Sequence, residues 1–380
     1  MRQGRLRSGA PSDPAVPGGS ARRLSPGQPR VHLTIEEQAF AAAAGPAMKK
    51  TIERAPGESV AAPARAPDMP SARPRMDWID SLRGLATMLV ILFHASVVVG
   101  RHGLEPWPPL LYLNHLFTPF RMAMLMVLSG LLVPKALAKP PRTYLLRKTG
   151  TLLYPYLLWT LAYGLLIEPA ALSHVKLWMG GSYLWFILFL FTYYAWALLL
   201  RRVPPAAIVL VAALLSFLSP ENSKYEERYF FLMAFFFLGH MLARDPGRIA
   251  VTDDRRLAWL AIPVVAILAA GSAIAGGINY KIELCVPVGI AILLVIGLAR
   301  RHAEGGLWAP LRFVGRHSIV FFSLHYPLIY GLIALCLALG LGSVPAISAI
   351  CFVVPAGLCV ALAWMRERHA VLDYLYVLPL

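Results

Sequence analysis

The sequence predicts an all-α membrane protein, a polytopic integral membrane helical bundle of about ten transmembrane helices with both termini cytoplasmic. Three observations predict it. Of the 380 residues, 58% are hydrophobic and only 15% charged, with a mean hydropathy of +0.60, which is too apolar for a soluble protein of this size. The apolar residues gather into runs, most of which approach the ~20 residues a helix needs to cross a bilayer. The net charge of +16 sits in short segments between those runs and in the N-terminal tail. That is how membrane topology is written, and no nucleic-acid partner is expected.

Residues 1–75 are rich in Pro, Ala, Arg, Ser and Gly and lack the compact apolar core of a signal peptide. They read as a disordered, basic cytoplasmic tail with a short helix around 35–44. The membrane domain follows over 76–365, with spans expected at 82–100, 113–133, 150–167, 183–200, 206–219, 229–243, 257–275, 284–299, 318–339 and 344–364. The fifth and sixth are short for an untilted crossing. Residues 366–380 form a short cytoplasmic tail.

Loop charge sets the orientation. The odd connections carry Arg101, Lys176, Lys224, Arg228 and Lys281. The even connections and the C-terminus carry Lys135, Lys139, Arg142, Arg147, Lys148, Arg201, Arg202, Arg244, Arg248, Arg255, Arg256, Arg300, Arg301, Arg312, Arg316, Arg366 and Arg368. Seventeen cations against five, in strict alternation, put the even loops and both ends in the cytoplasm. The two halves share no visible repeat, which counts against a carrier built from inverted repeats.

The first span carries two polar residues in an expensive setting. Arg83 and His94 are eleven positions apart, about three helical turns and roughly 16 Å, so they share nearly one face at different depths. Such residues line a pathway or a reaction site, or else act as an interfacial anchor and a helix-packing hydrogen bond. Asp80, one turn before Arg83, is placed to pair with it. Tyr154, Tyr183, Trp185 and Tyr326 read as interfacial aromatics. The four cysteines, Cys285, Cys336, Cys351 and Cys359, lie within apolar runs without metal-type spacing, so neither a disulfide framework nor a metal site is expected.

The run Asp80-Ser81-Leu82-Arg83-Gly84-Leu85-Ala86 followed by His94 resembles the first helix of the acyltransferase 3 family, with its arginine, ten residues and histidine. Phe120-Arg121-Met122 leading to Ser129-Gly130 resembles the second helix, Leu152-Leu153-Tyr154-Pro155-Tyr156 the third, and Tyr183-Leu184-Trp185-Phe186 the fourth. Phe236-Phe237-Leu238-Gly239, and Gly315-Arg316-His317-Ser318 running into Ser323-Leu324-His325-Tyr326-Pro327-Leu328, resemble later elements. The six occur in the family's order. One departure stands out: where many members carry a second arginine, this chain has Thr151.

The resemblance implies a membrane-embedded enzyme moving an acyl group, usually acetyl, from an acyl-coenzyme A donor to a hydroxyl on a carbohydrate, glycan or glycosylated metabolite. Coenzyme A thioester is then a co-substrate, with no bound cofactor, and the lipid bilayer of a bacterial plasma membrane is the setting. His94 is implied as catalytic with Arg83. An imidazole, with its ordinary pKa near 6.5, suits removal of a hydroxyl proton, and acylation of His94 itself is the other route. Arg121, Arg147, Lys148, Asp80 and His325 are implied in substrate binding. Arg142, Arg147 and Lys148 offer charge to the donor phosphates, and Arg121 is placed to orient His94, hold the acceptor or stabilise an oxyanion. The alternative is a transporter or flippase for a small polar or lipid-linked substrate. That function calls for carboxylates at mid-depth, and the spans offer none clearly.

Overall fold

The structure is a computed structural model that describes residues 76–220, 224–302 and 305–378. The tail over 1–75, with its expected disorder and short helix, lies outside the described residues. Every one of the ten apolar runs is helical: α1 (Asp77–Val97), α2 (Pro108–Gly130), α4 (Tyr154–Leu166), α5 (Trp185–Leu199), α6 (Pro205–Leu218), α7 (Lys224–Arg244), α8 (Arg255–Ile274), α9 (Cys285–His302), α11 (Ser318–Ala338) and α12 (Val344–Arg366). Two shorter helices, α3 (Pro141–Lys148) and α10 (Ala309–Arg316), precede α4 and α11. No strand occurs among the described residues.

Five stretches are long and apolar enough to cross a membrane: Asp77–His102, Pro108–Leu137, Ile282–His302, Ser318–Ala338 and Val344–Arg366. Trp185–Leu199, Pro205–Leu218 and Ala258–Ile274 are shorter apolar helices. The chain is therefore an integral membrane protein. Helix α7 begins five residues before the expected 229, because Glu226 and Glu227 occupy its first turn, where the positive end of the backbone dipole favours acids. Apolar side chains such as Leu210, Phe217, Trp259 and Ile267 stay exposed, as a surface facing hydrocarbon requires.

Helix α1 packs against α2, α10, α11 and α12, and α2 packs in turn against α7 and α8. Two crossings bring backbones into contact through glycine. At α1–α10, a Cβ on Gly84 would lie 1.9 Å from the Leu311 carbonyl oxygen and one on Gly315 would lie 1.8 Å from that of Asp80. At α2–α7, Gly130 meets the Phe236 carbonyl and Gly239 that of Val127 in the same way, at 1.9 and 2.1 Å. Small residues at such crossings let membrane helices approach closely enough for dispersion to hold them. The Arg83-Gly84, Ser129-Gly130, Leu238-Gly239 and Gly315-Arg316 pairs are thus first of all packing devices, and they fix the depth of the polar residues beside them.

Candidate active site

The polar residues of α1 belong to two separate levels. At the lower level, Asp80 lies 3.6 Å from Arg83 and 3.5 Å from Arg316, and Asp77 lies 3.2 Å from Arg316 and 3.8 Å from Arg312. The expected Asp80–Arg83 pair is present. Asp80 is 7% exposed and lies between cations of α1 and α10.

Next to this cluster two cavities meet. The outer one, about 560 Å³, is lined by Lys139, Arg147 and Lys148, with Tyr144, Gly150 and Thr151 around them and Val377 and Leu378 on the far side. The inner one, about 190 Å³, is lined by Arg83, Ser129, Lys148, Thr151 and Tyr194 and then by the apolar Leu125, Phe186, Ile187, Ile319 and Phe322. Lys148 and Thr151 line both, and so stand at the junction. Of the three cations expected to meet a donor, Arg147 and Lys148 line the outer cavity, while Arg142 is exposed and does not. Lys139, which the sequence marked only as a topology charge, lines the cavity with them. The Lys148 ammonium sits 3.3 Å from the centre of the Tyr194 ring. Burial, followed by the nearby charges of Arg83 and Lys139, pushes its pKa down to about 8.

The backbone at the junction is unusual. Thr149–Leu153 forms a π turn between α3 and α4, a feature that recurs at functional sites because its wider ring leaves a carbonyl without a helical partner. Here the Gly150 carbonyl accepts the backbone N–H of Leu378 at 3.0 Å. Thr151 donates its hydroxyl to the Arg147 carbonyl at 2.7 Å.

The inner cavity ends at Phe322, one helical turn before His325, whose ring centre lies 6.4 Å from that of Phe322. His325 is 1% exposed and meets His94 directly, its Nε2 lying 3.2 Å from His94 Nδ1. The two histidines are 231 positions apart in sequence, and the sequence offered no sign of their pairing. His94 Nδ1 also lies 2.9 Å from the Val90 carbonyl and His325 Nδ1 lies 2.7 Å from that of Phe321. A carbonyl only accepts, so each neutral ring carries its proton on Nδ1. His94 Nδ1–H is then shared between Val90 and the bare Nε2 of His325. His94 Nε2 is left as that ring's basic nitrogen. His325, expected on the substrate side, is thus in hydrogen-bond contact with the candidate catalytic ring of His94.

Arg121 reaches the same level from α2. Its guanidinium stacks 4.0 Å from the centre of the Phe93 ring, next in sequence to His94. The side chain is 5% exposed, and one terminal nitrogen, Nη1, is buried without a hydrogen-bond partner among the described residues. A buried guanidinium with an idle donor is costly and is a mark of function.

Tyr183 and Tyr326 depart from the expectation of interfacial aromatics. Their rings stack on each other at 4.8 Å, Tyr326 meets His94 edge-on at 5.4 Å and Tyr183 meets His325 at 5.7 Å. Tyr326 is 6% exposed. The neighbouring Pro327 hides this placement in the sequence, because an aromatic beside a proline at a span reads equally well as an anchor. Tyr163 continues the wall beyond Tyr326 at 5.9 Å, and past it Arg101 pairs with Glu168. No group of three or more His, Cys, Asp or Glu suited to a metal occurs among the described residues.

The geometry is that of a buried histidine pair one helical turn from a small cavity, which shares Lys148 and Thr151 with a larger cavity lined by three cations. Comparison with known proteins agrees. A family model described as an acyltransferase domain, that of the acyltransferase 3 family, matches residues 76–366. No curated protein and no solved structure matches the chain. An acyltransferase brings together an acyl donor and an acceptor, and the match covers every residue of the site apart from Val377 and Leu378. The chain belongs to the acyltransferase 3 family and is a membrane acyltransferase.

Proposed function

We propose that the protein transfers an acyl group, acetyl in the simplest case, from a coenzyme A thioester to a hydroxyl of a carbohydrate or glycosylated cell-envelope acceptor. One observation carries the reading: a cavity lined by three cations shares Lys148 and Thr151 with a narrower one whose lining includes Phe322, one turn before His325 of the His94–His325 pair. Phosphates suit the outer cavity, or mouth, and a thin, mostly apolar pantetheine arm suits the inner one, or neck. Coenzyme A is a co-substrate in this scheme, and no resident cofactor takes part.

In the base route, His94 Nε2 removes the proton of the acceptor hydroxyl as its oxygen attacks the thioester carbonyl. Arg121 Nη1 donates to the oxyanion of the tetrahedral intermediate. Collapse forms the ester and expels the thiolate, which recovers the proton from the imidazolium. In the carrier route Nε2 itself attacks the carbonyl and expels the thiolate; the hydroxyl oxygen then attacks the acyl-imidazolium, the Nε2–acyl bond breaks to return neutral His94, and the hydroxyl proton goes to the thiolate. Both routes need the Nδ1–H tautomer that His325 and Val90 support. Arg83 closes the side wall of the neck and helps to draw in the anionic donor.

The charge alternation supports ten crossings with both ends cytoplasmic, which puts the mouth on the side where coenzyme A thioesters are made and fits a bacterial plasma membrane. The test is acyl transfer in membranes supplied with labelled acetyl coenzyme A. His94→Ala should abolish labelling of the endogenous acceptor while expression and membrane insertion persist. Full labelling by this variant would refute the assignment. Rapid denaturation at neutral pH of purified, acceptor-free wild-type protein exposed to labelled acetyl coenzyme A separates the routes, since only the carrier route leaves label on His94.

A further inference from the structure

The outer cavity has a wall that belongs to no span and lies beyond the matched family domain. After α12, the segment Ala370–Leu375 forms a 3-10 turn that folds back under the bundle. Its carbonyls are held by α4: the Tyr154 hydroxyl donates to Tyr374 O at 2.6 Å and the Trp159 indole to Leu375 O at 3.0 Å. Tyr376 is fully buried and stacks on Trp159, with ring centres 5.8 Å apart. Asp373 accepts from Arg366 Nε at 2.6 Å. The last link is the Leu378 N–H bonded to Gly150 O in the π turn.

These anchors serve residues that gain little burial themselves. Val377 and Leu378 are only half-buried, and they present aliphatic surface to a cavity whose other side carries Lys139, Arg147 and Lys148. A pocket of this size with cations on one side and an apolar lip on the other matches a ligand with a charged end and a flat apolar end.

Building on the donor assigned above, we propose that the Val377–Leu378 strap is the base-binding lip of the donor mouth. The purine face of a nucleotide thioester lies against these two side chains while its phosphates meet the three cations. The pantetheine arm, pointing into the neck past Thr151, does not touch the strap. The π turn couples the two parts, since the carbonyl it frees is the one that fixes Leu378.

The chemistry of the donor supplies the test, because coenzyme A carries the nucleotide and pantetheine does not. Binding of each is measured on the purified protein in nanodiscs. Two variants are compared with wild type: a chain ending after Tyr376, which keeps the buried anchor, and full-length Leu378→Asp, which keeps the backbone bond to Gly150. Both should bind coenzyme A at least roughly tenfold more weakly, while pantetheine affinity stays at the wild-type value. Unchanged coenzyme A affinity in both variants would overturn the proposal. So would an equal loss for both ligands, which would make the strap a general brace. Wild-type protein that binds pantetheine as well as coenzyme A would remove any nucleotide site, and wild-type protein that binds neither would bring down the donor reading itself.

Discussion

Arg121→Met separates a catalytic guanidinium from a structural one, because the two roles predict opposite effects on stability. The side chain is 5% exposed, no ion pair to it is seen among the described residues, and its Nη1 has no hydrogen-bond partner there. Its visible compensation is the Phe93 ring at 4.0 Å, worth about 2 kcal/mol for a desolvated cation–π contact. Holding an arginine at the centre of a membrane helix costs about 2.5–3.5 kcal/mol on the mildest scale. Methionine fills a similar space without charge, so Arg121→Met should leave the bundle as stable as wild type or up to about 1 kcal/mol more stable. If Arg121 donates to the oxyanion, its removal should cost about 2.7–4 kcal/mol of transition-state binding, a 100- to 1,000-fold fall in kcat. The assay pairs thermal unfolding in detergent with transfer from labelled acetyl coenzyme A in membranes. A wild-type rate would refute the argument. So would a fall in rate that merely follows a lower midpoint, since that is how a packing residue behaves.

Four further outcomes follow from the same geometry. His325→Phe keeps the ring but removes the acceptor for His94 Nδ1–H, so kcat should fall about tenfold, one hydrogen bond of ~1.4 kcal/mol, with the KM for donor unchanged; a change confined to KM would instead put His325 on the donor. Arg83→Ala should reduce transfer at least roughly tenfold, and retention of the full rate would leave Arg83 an anchor of topology. With its pKa pushed down to about 8 by burial, Lys148 is charged below that pH and neutral above it. Affinity for desulfo-coenzyme A, which has no thiol to titrate, should therefore weaken as pH rises through about 8, by at most about tenfold per unit, and Lys148→Met should flatten the profile. Gly84→Ala would set a methyl 1.9 Å from a carbonyl oxygen, where ordinary contact begins at 3.4 Å. The 1.5 Å that α1 and α10 must part should cost on the order of 1–3 kcal/mol, seen as a lower unfolding midpoint, and an unchanged midpoint would argue against the tight crossing.

The helical framework was legible because hydrocarbon imposes it. A run such as 318–339 has no way to satisfy its backbone in lipid except as a helix, and α11 occupies nearly the same limits. Arg83, His94 and Arg121 were legible for the related reason that polar side chains are expensive there. What stayed hidden were the partnerships. Nothing local distinguishes a histidine that meets another 231 positions away from one that bonds its own helix, and His325 does both. Tyr183 and Tyr326 have the composition of a membrane girdle and the position of an inner wall. Lys139 carries a topology charge and a site charge at once. The glycines beside the motif residues looked incidental, yet their missing Cβ atoms set how near α10 comes to α1. Tyr376 and the strap behind it lie in a short tail of mixed polarity, where no period or run announces a fold.

A membrane that stores a proton gradient cannot contain a wet line of titratable groups from one face to the other. Such a line here would have to run through Arg83, Lys148, the two histidines, Tyr163, Glu168 and Arg101, and the apolar Phe186, Ile187, Ile319 and Phe322 already interrupt it between Lys148 and the histidines. The stacked Tyr183 and Tyr326 rings lie against the histidines at the middle of that line, with the Tyr183 hydroxyl committed to the Ser323 carbonyl. A phenol pinned in this way has no free rotor with which to hand a proton onward. The tyrosine pair thus sets ring faces and a committed hydroxyl where a proton would have to pass beyond the histidines.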